Sequence, residues 1–292
     1  MHGSEHTRGI LAMLVAVAFF ALMDAQLKTL AGHYGPMQVA FLRGMASLPF
    51  VLLPVVVRGR LARLKPVNVR LHLARGVLSV LMLGSFIFAV RESSLATTYS
   101  IFMCAPLAVA ALSAPMLGER VVGAQWGAIA VGLAGVLLMI APRGGGAWVS
   151  LGALAAVVAM ATYSLSVVTL RLLARTDSTE SMVFWFSVLL SAGAGLLAIP
   201  NWVPLEPGHW PLFVGIGVTG ALGQHLITEA FRHAPAAVVA PFEYTALLWG
   251  VLLDLVIWSV LPGAVTLVGG AIVIGAGLYL LARERRQVPA AP

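Results

Sequence analysis

The sequence predicts an all-α membrane protein: about ten transmembrane helices in two inverted five-helix repeats, with both termini in the cytoplasm. Three observations carry this. Hydrophobic residues make up 60% of the chain and charged residues only 10%, with a mean hydropathy of +0.96. A soluble domain would carry about a quarter of its residues charged. Lysine and arginine gather on alternate loops, and a weak internal repeat joins the two halves of the chain.

Apolar runs long enough to cross a hydrocarbon core of ~30 Å cover residues 9–30, 36–57, 71–90, 96–117, 122–141, 150–173, 181–199, 210–231, 237–260 and 264–282. The breaks between them carry glycine, proline or charge, as at Gly35-Pro36, Arg58 to Arg70, Asp177-Ser178, Asn201 to Pro207 and Pro262-Gly263. Backbone polar groups in lipid must be satisfied within the segment, so runs of this length are helices. The first run follows Arg8, is too long for a signal-peptide core and lacks an obvious cleavage site, so it reads as a retained span.

The net charge of +7 could suggest nucleic acid. Its placement in short loops argues against that partner and for membrane topology. With the N-terminus inside, fourteen of the eighteen Lys and Arg residues face the cytoplasm. Lys28, Arg91 and Arg143 fall on the other side, and Arg43 lies within the second span. The positive-inside rule then fixes the orientation.

A shift of 143 residues lays Gly9, Leu11, Ala12, Val15, Ala16, Ala18 and Leu27 on Gly152, Leu154, Ala155, Val158, Ala159, Ala161 and Leu170, with Lys28 opposite Arg171. The same shift lays Gly127-Ala128-Ile129 and Gly132 on Gly270-Ala271-Ile272 and Gly275, while a shift of 141 lays Ala89, Arg91 and Ala96 on Ala230, Arg232 and Ala237. The halves, 1–145 and 146–292, each hold about five spans. An odd number forces opposite orientations, the inverted architecture of secondary transporters.

Ionisable residues inside spans are functional candidates. Asp24 and Lys28 stand at i, i+4 on the first span, either a self-neutralising ion pair or a carboxylate for a substrate ammonium or a proton. His225, Glu229 and Arg232 share a face of the eighth span; histidine titrates near physiological pH. The bland alternative makes Glu229–Arg232 an ion pair at the cytoplasmic end. Glu243 and Asp254 on the ninth span stand three turns apart on one face, as a cation or proton path or as partners of an arginine such as Arg43, which reads as structural. Pro241 loosens the helix beside Glu243. Phe20, Tyr99, Tyr163, Tyr244, Trp185 and Trp249 are candidates for an aromatic cavity wall or for packing, and Phe20 and Tyr163 are repeat equivalents. The candidate substrate and cavity set is therefore Phe20, Asp24, Tyr99, Tyr163, His225, Glu243, Tyr244 and Trp249, with Asp24, His225 and Glu229 as proton-coupling candidates.

Small residues at Gly123 with Gly127, Ala128 with Gly132, and Ala271 with Gly275 predict close packing of the fifth and tenth spans. Cys104 is the only cysteine, so no internal disulfide forms, and no His/Cys cluster has metal-ligand spacing. No metal or cofactor is expected. H-E-x-x-H, G-x-S-x-G and Walker-type phosphate loops are missing from the sequence, which disfavours a membrane-embedded enzyme and an ATP-driven pump.

Leu117-Gly118-Glu119-Arg120, Gly127-Ala128-Ile129 with Gly132, Ala240-Pro241-Phe242-Glu243-Tyr244-Thr245-Ala246-Leu247-Leu248-Trp249, and Gly269-Gly270-Ala271-Ile272 with Gly275 resemble the EamA-type ten-span members of the drug/metabolite transporter superfamily. The likeness covers roughly residues 8–283. The family's Gly-Glu motif is not repeated after the ninth span, where the chain reads Ser259-Val260-Leu261-Pro262-Gly263. The cut of the chain is similar to the YddG-type amino-acid exporters of that superfamily. The resemblance implies export of aromatic and other neutral amino acids across the cell inner membrane, through a cavity between two four-helix bundles with the fifth and tenth spans behind; the alternative is export of another small metabolite or drug-like compound, such as a nucleoside or a vitamin. A monomer suffices for this reading; the partners are the small-molecule substrate and the lipid bilayer.

Overall fold

The computed structural model describes residues 2–118, 123–140, 150–234 and 236–287, and burial is described for fewer still at the termini and near Pro235. Glu119, Arg120 and Arg143, singled out above, lie outside the described residues.

In chain order the helices are α1 (His2–Ala31), α2 (Pro36–Val57), α3 (Val69–Glu92), α4 (Leu95–Phe102), α5 (Ala105–Leu117), α6 (Gly123–Ile140), α7 (Leu151–Leu173), α8 (Thr179–Ala198), α9 (Trp210–His233), α10 (Ala236–Val239), α11 (Ala246–Trp258) and α12 (Ala264–Gln287). They supply ten segments long and apolar enough to span a membrane, and the described residues contain no strand. Local chemistry sets the starts. Asn68, Ser94, Ser150 and Ser178 each accept a backbone N–H from the first turn of α3, α4, α7 and α8, filling donors that a helix start leaves open.

Two spans are broken rather than continuous. The fourth is α4 and α5, parted at Met103-Cys104, where Pro106 cannot donate to the preceding turn. The expected single helix 237–260 is instead α10, a 3-10 segment Ala240–Thr245 containing Pro241, and α11. The breaks fall in equivalent spans of the two halves.

The halves interdigitate. α1 packs on α9, α3 on α7 and α2 on α8, so each main partner comes from the other half. α6 and α12 pack on each other. Their approach runs over Gly135 and Gly269: a Cβ on Gly269 would stand 2.4 Å from Met139 and 3.0 Å from the Gly135 carbonyl. Gly123, Gly127 and Gly275 face open space instead, so the small-residue stripe predicted there is not the contact; Gly132 packs on Leu107 and Ala276. Leu53, Val77, Leu196, Leu248 and Val256 are exposed on the helix exteriors, the pattern of a lipid-facing surface.

The loops between halves are clasped at both ends. On the outer side the Tyr34 hydroxyl stands 2.8 Å from His209 Nδ1 and accepts from the Glu206 N–H, while the Gln38 amide bonds the Val203 carbonyl and N–H. On the cytoplasmic side Asp177 accepts from the Val67 and Asn68 N–H groups and the Thr176 hydroxyl, and lies 2.9 Å from His72 Nε2. Ser181 donates to the Leu64 carbonyl. Tyr34 and Asp177, like Gln38 and Ser181, are equivalents under the 143-residue shift.

Burial alone pushes the Asp177 carboxyl up, but the donors from Thr176, Val67, His72 and Asn68 outweigh it and hold the pKa at about 2 against an ordinary 3.8. Because the folded value is depressed, its stabilisation is complete above the ordinary value and is lost as pH falls through about 2. Asp177→Asn is expected to cost about 1–2 kcal/mol at neutral pH. It should also flatten the fall in unfolding temperature of the detergent-solubilised protein below pH 4. An unchanged profile would show that Asp177 does not hold this clasp.

Candidate functional site

A cavity of about 700 Å³ lies between the halves, walled by α1, α2, α3, α7, α8 and α9. Its lining on α1 is Phe20 and Met23; on α9 it runs from Ile216 to Thr228 and includes Gln224 and His225. Arg43, Ser47 and Phe50 come from α2, Arg75 from α3, and Phe186 and Ser187 from α8. The wall is amphipathic and of metabolite size.

Toward the outer side the helices close. The lining on α1 stops at Met23, about one and a half turns short of Lys28. There Lys28 Nζ bonds Asp254 Oδ1 on α11 at 2.8 Å and stands 4.3 Å from the centre of the Trp258 ring. The second oxygen of Asp254 accepts the Ala96 N–H, also at 2.8 Å, and the carboxylate is fully buried. Phe41 and Trp202 meet edge to face above. At the cytoplasmic side Arg171, which matches Lys28 under the 143-residue shift, reaches with Nη1 to within 3.4 Å of Oγ of Ser113, which matches Asp254 under the 141-residue shift.

These contacts correct three expectations. Lys28 pairs with Asp254, 226 residues away, not with Asp24 one turn below it; Asp24 instead accepts the Tyr99 hydroxyl at 2.8 Å. Asp254 and Glu243 share no face, since the 3-10 segment re-aims the chain: Asp254 is buried, Glu243 exposed. Arg43 is not the partner of Asp254; it lies in the cavity wall, within electrostatic reach of Asp24 but in no ion pair among the described residues.

Of the residues singled out from sequence, Phe20 and His225 line the cavity. Asp24 and Tyr99 are bonded to each other off the lining, Asp24 following Met23 in sequence and Tyr99 stacking near Phe86. Tyr163 packs on Phe102 and faces Glu243 closely enough for the carboxylate charge to act on the phenol. Tyr244 is buried against Gly277, its hydroxyl unpartnered among the described residues. Trp249 packs on the core around α1 and α11. Glu229 pairs with Arg232 and approaches His233. Trp185 donates to the Leu64 carbonyl at the cytoplasmic clasp.

The lining also holds residues that the sequence did not single out: Arg75, Phe186, Gln224 and Thr228. Arg75 donates to the Met182 carbonyl and lies over the Phe186 ring, 4.6 Å from its centre. Its signal in the sequence was a basic residue about one turn inside the 71–90 run, which loop counting absorbed into the positive-inside tally. No group of three His, Cys, Asp or Glu side chains that could hold a metal occurs among the described residues.

The profile of the EamA-like transporter family matches the chain twice, over residues 7–141 and 150–283. The pseudopaline exporter CntI of Pseudomonas aeruginosa is 29% identical over 280 residues, covering 93% of this chain and 95% of that protein. A riboflavin transporter of Rhizobium johnstonii is 27% identical, covering 96% and 92%. An S-adenosylmethionine uptake transporter of Rickettsia prowazekii is 22% identical, covering 97% and 95%. One solved crystal structure shares the fold with a TM-score of 0.63 at 21% identity, covering 99% of both chains. With two profile matches that together span nearly all of its length, the chain belongs to the EamA-like transporter family of the drug/metabolite transporter superfamily and is a multi-pass protein of the inner membrane.

Proposed function

We propose that the protein is a secondary transporter that carries a small metabolite through the central cavity by alternating access. The observation that carries this is the cavity itself: a metabolite-sized space between halves, stopped on the outer side by the Lys28–Asp254 pair. The repeats at 1–145 and 146–292, intertwined about the cavity, supply the pseudo-symmetry by which it would open to either side in turn. Phe20 and His225 contact the substrate; Asp24, anchored by Tyr99, stands behind Met23 and is the proton-coupling candidate. Glu229, held by Arg232, and Tyr163, Glu243, Tyr244 and Trp249, all off the cavity lining, take supporting places along the path.

Export of neutral amino acids is the narrower reading drawn from the YddG-type resemblance. The relatives bear the names of a pseudopaline exporter, a riboflavin transporter and an S-adenosylmethionine uptake transporter. That spread favours a wider class, a small metabolite with an apolar or aromatic body. Counterflow in proteoliposomes decides between them. Vesicles are preloaded with unlabelled phenylalanine, tryptophan, threonine, riboflavin or S-adenosylmethionine. Labelled uptake that requires the matching internal load is the expected result, and its identity separates amino acid from other metabolite. Absence of exchange with all five, for folded protein, would overturn the carrier reading for these classes.

A further inference from the structure

The cavity wall is charged in one sense only. It contains two guanidiniums, Arg43 and Arg75, and the imidazole of His225, and no carboxylate. Arg43 lies seven residues from the outer end of α2 and Arg75 six from the cytoplasmic end of α3. A rise of 1.5 Å per residue therefore puts each roughly 10 Å inside its own end of the bundle. Neither forms an ion pair among the described residues. Asp24, whose field reaches Arg43, is already engaged by the Tyr99 hydroxyl. Asp24 balances part of the Arg43 charge from beyond ion-pair distance, but a guanidinium at membrane depth still needs acceptors for its N–H groups, from a ligand or from water.

The two guanidiniums differ in how much of their donor capacity is free. Arg75 spends one arm on the Met182 carbonyl and stands over the Phe186 ring. Arg43 has no hydrogen-bond acceptor among the described residues, so its planar fork is left for a planar, two-oxygen group. Ser47 stands one turn away on the same helix, and Phe20 and Phe50 supply apolar wall beside it. A positive floor behind a positive mouth also concentrates anions along the path.

From this arrangement we infer that the substrate is an organic anion whose carboxylate or similar acidic group is held by Arg43, with Arg75 drawing it in from the cytoplasmic side. This rests on the carrier reading, and deepens it by naming the charge class.

The test is direct binding to the purified full-length chain in detergent, by isothermal titration, with ring-matched probes that differ only in charge. These are phenylpropionate, phenylpropionamide and phenylpropylamine, and the same three groups on an indole ring. The anion of each set is expected to bind roughly tenfold or more tightly than its amide and amine. Arg43→Gln should erase that preference and Arg43→Lys should keep part of it, both with an unchanged elution volume and helical circular dichroism. Arg75→Gln should weaken the anion less than Arg43→Gln does. Amine or amide binding as tight as the anion, a preference that survives Arg43→Gln, or binding of none of the six would overturn the inference. Because no membrane is involved, a preference for the anion without counterflow would instead count against the carrier reading alone.

Discussion

Asp254→Leu is expected to destabilise the protein by about 3–5 kcal/mol, the cost of leaving one member of a buried ion pair behind. Lys28 would lose its carboxylate, and the Ala96 N–H its acceptor, in a place where Lys28 is only 11% exposed. The same change removes the tie between α1 and α11 that closes the outer side. Thermal unfolding in detergent reads the first effect, and labelling of a cysteine placed at Ala25 by a membrane-impermeant maleimide reads the second, with buried Cys104 contributing little background. The double variant Lys28→Met/Asp254→Leu should recover much of the stability, because an apolar pair of similar volume carries no unpaired charge. Simple addition of the two single losses would show that the pair does not act as a unit.

Gly269→Leu is expected to be comparably damaging, through space rather than charge. Its first side-chain atom already overlaps Met139, and the neighbouring obstacle is the Gly135 carbonyl, which cannot swing aside. Overpacking of this kind costs about 1–3 kcal/mol and more where backbone must move. α6 and α12 would separate or the variant would fail to accumulate in the membrane. Gly275→Leu, on the same helix but facing open space, is the matched control and should stay within about 0.5 kcal/mol. Equal losses at both positions would remove the packing explanation.

The ten spans and the inverted repeat were legible because each rests on a bulk signal. Hydropathy sums over twenty residues tolerate local errors, and a fixed offset recurs at both ends of the repeat. The offset even carried tertiary information: it pairs Tyr34 with Asp177, which hold matching clasps at opposite sides. The ion pairs were not legible. The i, i+4 rule sees one helix, so it offered Asp24 to Lys28, whereas the bundle brings Asp254 from the far end of the chain. Arg43 was read as structural on the assumption that an intramembrane cation must find a carboxylate, yet its side chain lies in the cavity wall. The broken fourth span carried its signal in Pro106, the same residue type that was heeded at Pro241 and passed over there.

The interdigitated packing has a consequence for biogenesis. α1 packs on α9 and α3 on α7, so the earliest helices to leave the ribosome have their main neighbours among those made much later. Until the eighth span is inserted, α1 can pack only on α2 and α3, and the face it will bury against α9 is left to lipid. The first five spans alone therefore form no finished half, and a truncated or stalled chain is a natural target for membrane quality control. The bundle is therefore closed late: α1 meets its main partner only with α9, and the α11 and α12 contacts follow after that.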